Sequence, residues 1–351
     1  MPIPYKNAKI PTSYATCSIG HKETHTLPKK LQAIASAGFD GIELSMPDII
    51  SYGKLLHGKE PDATDYDTLA NIASSIRKES ENFGLKILML QPFANFEGWK
   101  KDSPQREDAF RRAEGWAQIM QAAGTDMLQI GSTDAAPEDV SADPEVLARD
   151  LAELADRFAS RGLRIAYENW CWATRAPGWR EVWDIVRRAD RPNLGLCLDT
   201  FQSAGGEWAD PTTKDGFRAS SSSGSDSNKP GKDVQDAWAA SLRDLAATVP
   251  AEKIFLLQIS DAYRLDPPLA NKDDADGLRP RGQWSHDYRP LPYDGGYLPV
   301  LEFLGAVLGT GFRGWLSVEV FDSKGEEKYG DDLEGYSKKA MGSLEKLLQD
   351  S

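Results

Sequence analysis

Within residues 163–202, two short runs, 163–168 and 194–199, carry large apolar side chains at every second position. In Leu194–Asp199, Leu194, Leu196 and Leu198 share one parity, and Gly195, Cys197 and Asp199 share the other. Side chains alternate across a strand, so this run predicts aliphatics on one face and small or acidic groups on the opposite face. Residues 163–168 repeat the pattern, with Leu163, Ile165 and Tyr167 opposed to Ala166 and Glu168. Such strands suit the wall of a closed barrel. Their large side chains pack under an outer layer of helices, and the terminal carboxylate points inward at the C-terminal mouth. Glu168 and Asp199 stand about one βα unit apart, which places them on neighbouring strands. Two carboxylates at one mouth repel each other unless a cation lies between them.

The same reading, extended over the chain, predicts strands at 13–19, 41–46, 85–93, 126–131, 163–168, 194–199, 253–260 and 314–320. Helices are predicted at 27–37, 67–83, 105–123, 144–161, 179–189, 234–248, 298–308 and 332–348. Glycine stands at many of the helix-to-strand joints, where a left-handed residue ends a helix. Strands alternating with helices at this spacing imply parallel βαβ units. Eight of them favour one (β/α)8 barrel domain over 1–351 rather than an open doubly wound sheet. No G-x-G-x-x-G or phosphate-loop pattern follows the first strand, which weakens a nucleotide-binding reading. An apolar fraction of 40% supplies enough side chains for a sizeable core.

Two connections are long, and both follow strands, so both belong to the mouth. Residues 201–233 carry a serine tract, and 211–233 is expected to be a flexible loop that serves as a tolerated surface insertion. Residues 261–297 are rich in Pro, Asp and Gly, and bring His286, Asp287, Arg289 and several aromatics into one short stretch. That concentration points to function.

Charge and cysteine content narrow the class. The net charge of −13 argues against a nucleic-acid or anionic-membrane surface. No apolar run approaches the roughly 20 residues that cross a bilayer, and the first residues lack the apolar centre of a secretory signal. Cys17, Cys171 and Cys197 show no metal-type spacing, and buried thiols in a reducing cytoplasm are expected.

Two further strand ends complete a chemical set. The seventh predicted strand presents Gln258, and the eighth presents Glu319 on the parity of Ser317. Glu168, Asp199, Gln258 and Glu319 then meet at the mouths of strands five to eight. All their ligand atoms are oxygen, which suits one hard divalent ion such as Mg²⁺ or Mn²⁺, with Co²⁺ or Zn²⁺ also compatible. Glu43, Gln91 and Gln129 share the inward parity and read equally well as pocket groups or as a hydrogen-bonded polar layer. Trp170 and Trp172 flank the strand-five mouth and can wall a ring-shaped substrate. His21, His25 and His57 read as surface histidines.

At these residues the chain resembles the xylose-isomerase-like barrel superfamily, whose pattern is Glu, Asp, His or Gln, and Glu at four strand ends around one metal. It is more closely similar to the 3-dehydroshikimate dehydratases of fungal quinate catabolism. The stretches that carry this are LQPFANFEGW (90–99), YENWCW (167–172), GLCLDTFQSAGGEWADP (195–211), LLQISDA (256–262) and SVEVF (317–321). The resemblance implies metal ligation by Glu168, Asp199, Gln258 and Glu319. It also implies dehydration of 3-dehydroshikimate, a cyclic hydroxy-ketone carboxylate, to protocatechuate through a metal-stabilised enediolate. Some relatives carry proton-transfer histidines two residues after the first glutamate and three after the aspartate; here those positions are Trp170 and Gln202. His286 is the substitute base, with Glu43 behind it, and Arg289 is the cation for the substrate carboxylate. A metal-dependent sugar isomerase or ketose epimerase would use the same enediolate and return the proton to carbon. An abasic-site endonuclease would need more than four histidines and a basic face, and a non-catalytic sugar-binding module would not need three converging carboxylates.

Overall fold

The alternation of aliphatic and small residues is realised as eight parallel strands that close on themselves. A computed structural model describes residues 2–221 and 229–351. The barrel strands are β1 (Thr12–Ala15), β2 (Gly41–Ser45), β3 (Lys86–Phe93), β4 (Met127–Gly131), β5 (Arg164–Glu168), β6 (Leu194–Asp199), β7 (Ile254–Ile259) and β8 (Trp315–Val318). Each pairs with the next, and β8 pairs with β1 to close the (β/α)8 barrel. The parity seen in sequence has a direct counterpart in the packing. Leu194, Leu196 and Leu198 join Ile165 and Tyr167 in the large core shared with the helices. Met89, Met127, Ala166, Cys197 and Leu256 form a separate small cluster that fills the barrel itself.

The eight outer helices are Leu27–Ser36, Tyr66–Asn82, Pro104–Ala123, Pro144–Ala159, Trp179–Ala189, Lys232–Thr248, Val300–Gly309 and Leu333–Asp350. Side-chain oxygens of Asp65, Ser103, Asp143 and Asp332 accept backbone N–H groups at four of their starts. These caps satisfy donors that the helix itself leaves open. Gly124 ends the third helix at φ 75°, a conformation that side chains disfavour. Among the described residues no helix is long and apolar enough to cross a membrane.

The departures from the expected pattern lie almost entirely at the mouth. The first predicted strand, 13–19, stops at Ala15 because Thr16–Ser18 turns as a 3₁₀ helix. The eighth stops at Val318, and Glu319 lies just beyond it with its N–H on the Ile259 carbonyl at 3.2 Å. Helix Met46–His57 follows β2 directly, and helix Thr200–Glu207 follows β6. The connection 261–297 is not irregular throughout, since it contains helix Pro280–Asp287. Its next two residues, Tyr288–Arg289, form an antiparallel ribbon with Phe321–Asp322. The two eight-residue helices and the ribbon are shorter than the window of about 11 residues over which a helical period is legible, so the pattern does not announce them. Of the expected flexible loop, 222–228 lie outside the described residues. The flank before them carries a bridge between Ala209 and Phe217.

Half-buried Asn95 and buried Glu97 tie the segments after β3 and β4 together. Asn95 Oδ1 accepts from Thr133 Oγ1 at 2.8 Å and from the N–H groups of Asp134 and Ala135, both at 3.1 Å. Glu97 Oε1 accepts from Thr133 N and from the Tyr167 hydroxyl, both at 2.8 Å. Burial pushes the Glu97 carboxyl up to about 7. The folded protein therefore holds this proton more tightly than the unfolded chain does. The resulting stability is complete below the unfolded carboxyl value and is lost as pH rises towards 7. Glu97→Gln keeps the acceptor and removes the titration. The variant should gain thermal stability relative to the native chain between pH 4.5 and 8, by up to about 3 kcal/mol. A difference in Tm that stays constant across that range would show that Glu97 is not protonated in the fold.

Candidate metal centre

Each acidic group is brought to the mouth by the strand that carries it. Glu168 is the last residue of β5, Asp199 the last of β6, and Glu319 follows β8. Asp199 and Gln258 are paired in register between β6 and β7. One carboxylate oxygen from each of Glu168, Asp199 and Glu319 lies within 4.8 Å of the other two, and all three residues are buried.

The two oxygens of each carboxylate have different work. Asp199 caps helix Thr200–Glu207, with Oδ1 accepting from Phe201 N at 2.6 Å and from Gln202 N at 3.1 Å. A helix N-terminus favours negative charge, which suits an acid at this position. Asp199 Oδ2 meets Arg289 Nη2 at 2.5 Å. Glu319 Oε1 accepts from Gln91 Nε2 at 3.2 Å and from Gln258 Nε2 at 3.0 Å, and Oε2 lies 3.1 Å from Arg289 Nη2. Glu168 Oε2 accepts from the Gln129 amide and from Trp170 Nε1, while Oε1 has no hydrogen-bond partner among the described residues. Glu43 Oε2 accepts from Gln258 Nε2 at 2.9 Å, and its Oε1 likewise has no hydrogen-bond partner among the described residues.

Burial raises all three glutamates. Desolvation pushes Glu43 up to about 7 and Glu319 up to about 8, against the opposing pull of Arg289 on both. Glu168 is raised well above the carboxylate range by desolvation, then by Glu319 and Asp199. Arg289 is the counter-charge. Its guanidinium lies 4.7 Å from the Phe201 ring and 5.3 Å from the Phe321 ring, and its Nε donates to Ser260 Oγ at 3.0 Å. One guanidinium cannot neutralise this many carboxylates. An oxygen-only donor set with an orphaned buried Oε1 fits a hard divalent cation. Gln258 turns its amide nitrogen to Glu43 and Glu319 and its carbonyl to the Cys197 thiol at 3.2 Å. Turning the amide over would present the carbonyl oxygen to the cluster at little steric cost.

Glu43, Gln91, Gln129, Glu168, Trp170, Asp199, Gln258, Arg289 and Glu319 therefore converge. His286 stands apart on the exposed side of helix Pro280–Asp287. Its ring meets Trp172 edge-on at 5.9 Å, and Trp172 stacks on Trp170 at 5.1 Å. Desolvation and then Arg289 hold the His286 imidazole below its usual value. His25 is a correction: it is buried rather than on the surface, with Nε2 3.1 Å from Asp331. Sequence reasoning does not single out Ser260, Phe201 or Phe321, because their shared role in holding Arg289 exists only once three segments meet.

The chain is similar to known proteins over nearly its whole length. Residues 31–346 match the model for the xylose isomerase-like TIM barrel. A 3-dehydroshikimate dehydratase of Neurospora crassa is 33% identical, over 99% of this chain and 95% of that protein. A 3-dehydroshikimate dehydratase of Pseudomonas aeruginosa is 35% identical over 88% of this chain and 38% of its own length. Among solved structures, a fusion of a xylose isomerase-like TIM barrel with 4-hydroxyphenylpyruvate dioxygenase superposes with a TM-score of 0.68. It is 28% identical over 96% of this chain and 42% of that one.

Charge-removing isosteres separate ligands from scaffold. Glu168→Gln, Asp199→Asn and Glu319→Gln should each weaken Mn²⁺ or Co²⁺ binding in calorimetry by at least about a hundredfold, beyond the effect of losing an outer-shell partner. Circular dichroism should be unchanged, since these groups sit at the mouth rather than in the packed core. Gln258→Leu should be milder because it removes a neutral donor. Normal binding by Glu319→Gln would remove the segment after β8 from the ligand set.

Proposed function

The chain belongs to the xylose isomerase-like TIM barrel family, and we propose that it is a hydro-lyase that dehydrates 3-dehydroshikimate to protocatechuate. The reading is carried by the near full-length similarity to the Neurospora crassa dehydratase. The converging buried carboxylates at the mouth support it. Glu168, Asp199, Glu319 and Gln258 would hold one divalent ion, Mg²⁺, Mn²⁺ or Co²⁺, with Zn²⁺ compatible with the same donors. When bound, such an ion supplies Lewis acidity to the ketone and so acidifies the neighbouring C–H.

The remaining chemistry falls to side chains. A base takes the proton α to the ketone, the β-hydroxyl takes up a proton and departs as water, and transfer of a further ring C–H proton to the ketone oxygen completes an aromatic ring. Aromatisation makes the sequence irreversible. His286 is the base we assign, because its lowered value leaves the imidazole neutral at pH 7. Glu43, linked to the cluster through Gln258, is the second proton-carrying group. Arg289 takes the substrate carboxylate, since a guanidinium offers two parallel N–H groups to it. Its present hold on Asp199 and Glu319 is the interaction that the substrate would replace. Gln91 and Gln129 serve the ring hydroxyls, Gln129 through an Oε1 with no hydrogen-bond partner among the described residues. The stacked Trp170 and Trp172 wall the ring. The three free cysteines suit a reducing cytoplasm.

Metal-reconstituted protein incubated with 3-dehydroshikimate should develop the ultraviolet absorbance of an aromatic product. Chelation should abolish the rate, and Mn²⁺, Co²⁺ or Mg²⁺ should restore it. No aromatic product would reject the dehydratase reading, and full activity in verified metal-free protein would reject the metal.

The base has its own test. Because the neutral imidazole accepts the proton, kcat should fall as pH drops below the usual histidine range. His286→Ala should lower kcat by about 10²–10⁴-fold, leave KM nearly unchanged and abolish that acid limb. An unchanged kcat across pH would move the assignment to Glu43, with Glu43→Gln as the deciding variant.

A further inference from the structure

We infer that Trp170 is a positioning residue for Glu168, and that Gly131 is glycine to make room for it. The indole N–H and the Gln129 amide together occupy Oε2 of Glu168, so Oε1 is the single oxygen offered to an ion. The inference rests on Glu168 being a metal ligand and goes further by assigning how that ligand is aimed.

The observations converge from three sides. Two donors meet on one oxygen of Glu168, Gln129 Nε2 and Trp170 Nε1, the latter at 3.3 Å. The other oxygen is buried and has no hydrogen-bond partner among the described residues. Gly131 is the last residue of β4 and pairs in register with Glu168 on β5. A Cβ on Gly131 would lie 2.0 Å from Trp170 Cε2 and 2.2 Å from Cζ2. The Gly131 backbone is not left-handed, so glycine is required here by space and not by conformation. The indole is itself held in place. Trp170 N donates to Ser132 Oγ at 2.9 Å, and the ring stacks on Trp172, whose Nε1 donates to Asp134 Oδ2 at 3.1 Å.

A carboxylate free to rotate can offer an ion either oxygen or both. Two N–H groups on Oε2 fix the plane of the group. Binding through Oε1 then needs no reorientation, which is how an outer shell raises ligand affinity. An indole donates a hydrogen bond and accepts none. Trp170 therefore acts on orientation, whereas a histidine at the same position would also exchange protons.

The test titrates the metal-free full-length protein with Co²⁺ and reads both calorimetric affinity and the visible d–d spectrum. Trp170→Phe keeps an aromatic ring to stack and deletes the N–H. It should bind Co²⁺ about tenfold more weakly, within the range for lost outer-shell partners, and its d–d bands should shift as Oε2 becomes free to coordinate. Gly131→Ala drives the indole off its seat and should change affinity and spectrum in the same direction. The double variant should be no worse than the weaker single one, because both changes remove one interaction. Glu168→Gln is the control. If Glu168→Gln binds Co²⁺ as the native chain does, the ligand assignment fails and the inference with it. If Glu168→Gln loses binding while Trp170→Phe keeps native affinity and spectrum, Glu168 remains a ligand and the positioning role is overturned. Should Gly131→Ala fail to fold, Trp170→Phe alone decides.

Discussion

Mutual repulsion among buried carboxylates is the constraint around which the mouth is built. Three acids within 4.8 Å of one another and shielded from water would, if all ionised, repel by about 4 kcal/mol per pair at an effective dielectric near 20. Folding meets this with Arg289, and much of the surrounding structure exists to hold that guanidinium in place. The ribbon pairs Arg289 with Phe321, two residues beyond Glu319, so one antiparallel contact delivers the cation to the acid. Phe201 and Phe321 flank it, Ser260 accepts from its Nε and Ser285 from its Nη1. Removing such a cation would leave buried charge unpaired, which is costlier than losing a surface ion pair.

The acids are also oriented by what they touch. Asp199 has one oxygen committed to a helix start and one to Arg289. Glu168 has one oxygen committed to two N–H donors and one held free. This asymmetry turns a cluster of acids into a directed donor set. The outer ring of the mouth continues the logic. Arg279, the residue before helix Pro280–Asp287, donates to the Trp172 carbonyl at 2.6 Å and to Thr174 Oγ1 at 2.8 Å. That clamp fixes the helix against the segment after β5 and brings His286 to the edge of Trp172. A histidine distant in sequence from the acids thus belongs to the same rim.

Much of this was legible from residue order alone. Parity along 194–199 separates barrel-filling from helix-facing side chains, because alternation is a local property of an extended backbone. The eight-unit alternation and the helix limits follow from periodicity and capping, which depend on neighbours a few residues away. The same local reasoning places Glu168, Asp199, Gln258 and Glu319 at strand ends. The stretches around them carry the resemblance to a metal-dependent barrel family.

Tertiary structure alone decided the partnerships. Arg289 was expected to serve a substrate, and the fold shows it first as the counter-ion of Asp199 and Glu319. Gln258 was read by its carbonyl, and the fold turns its nitrogen to the acids. Gly131 carries no sequence signal, yet an indole arriving from another strand end leaves it no room for a side chain. Helices Thr200–Glu207 and Pro280–Asp287 and the two-residue ribbon are shorter than the window of about 11 residues in which a helical period can be recognised. The physical division is one of range. Backbone alternation and capping act between near neighbours, whereas charge balance and close packing depend on groups that only the closed barrel brings together.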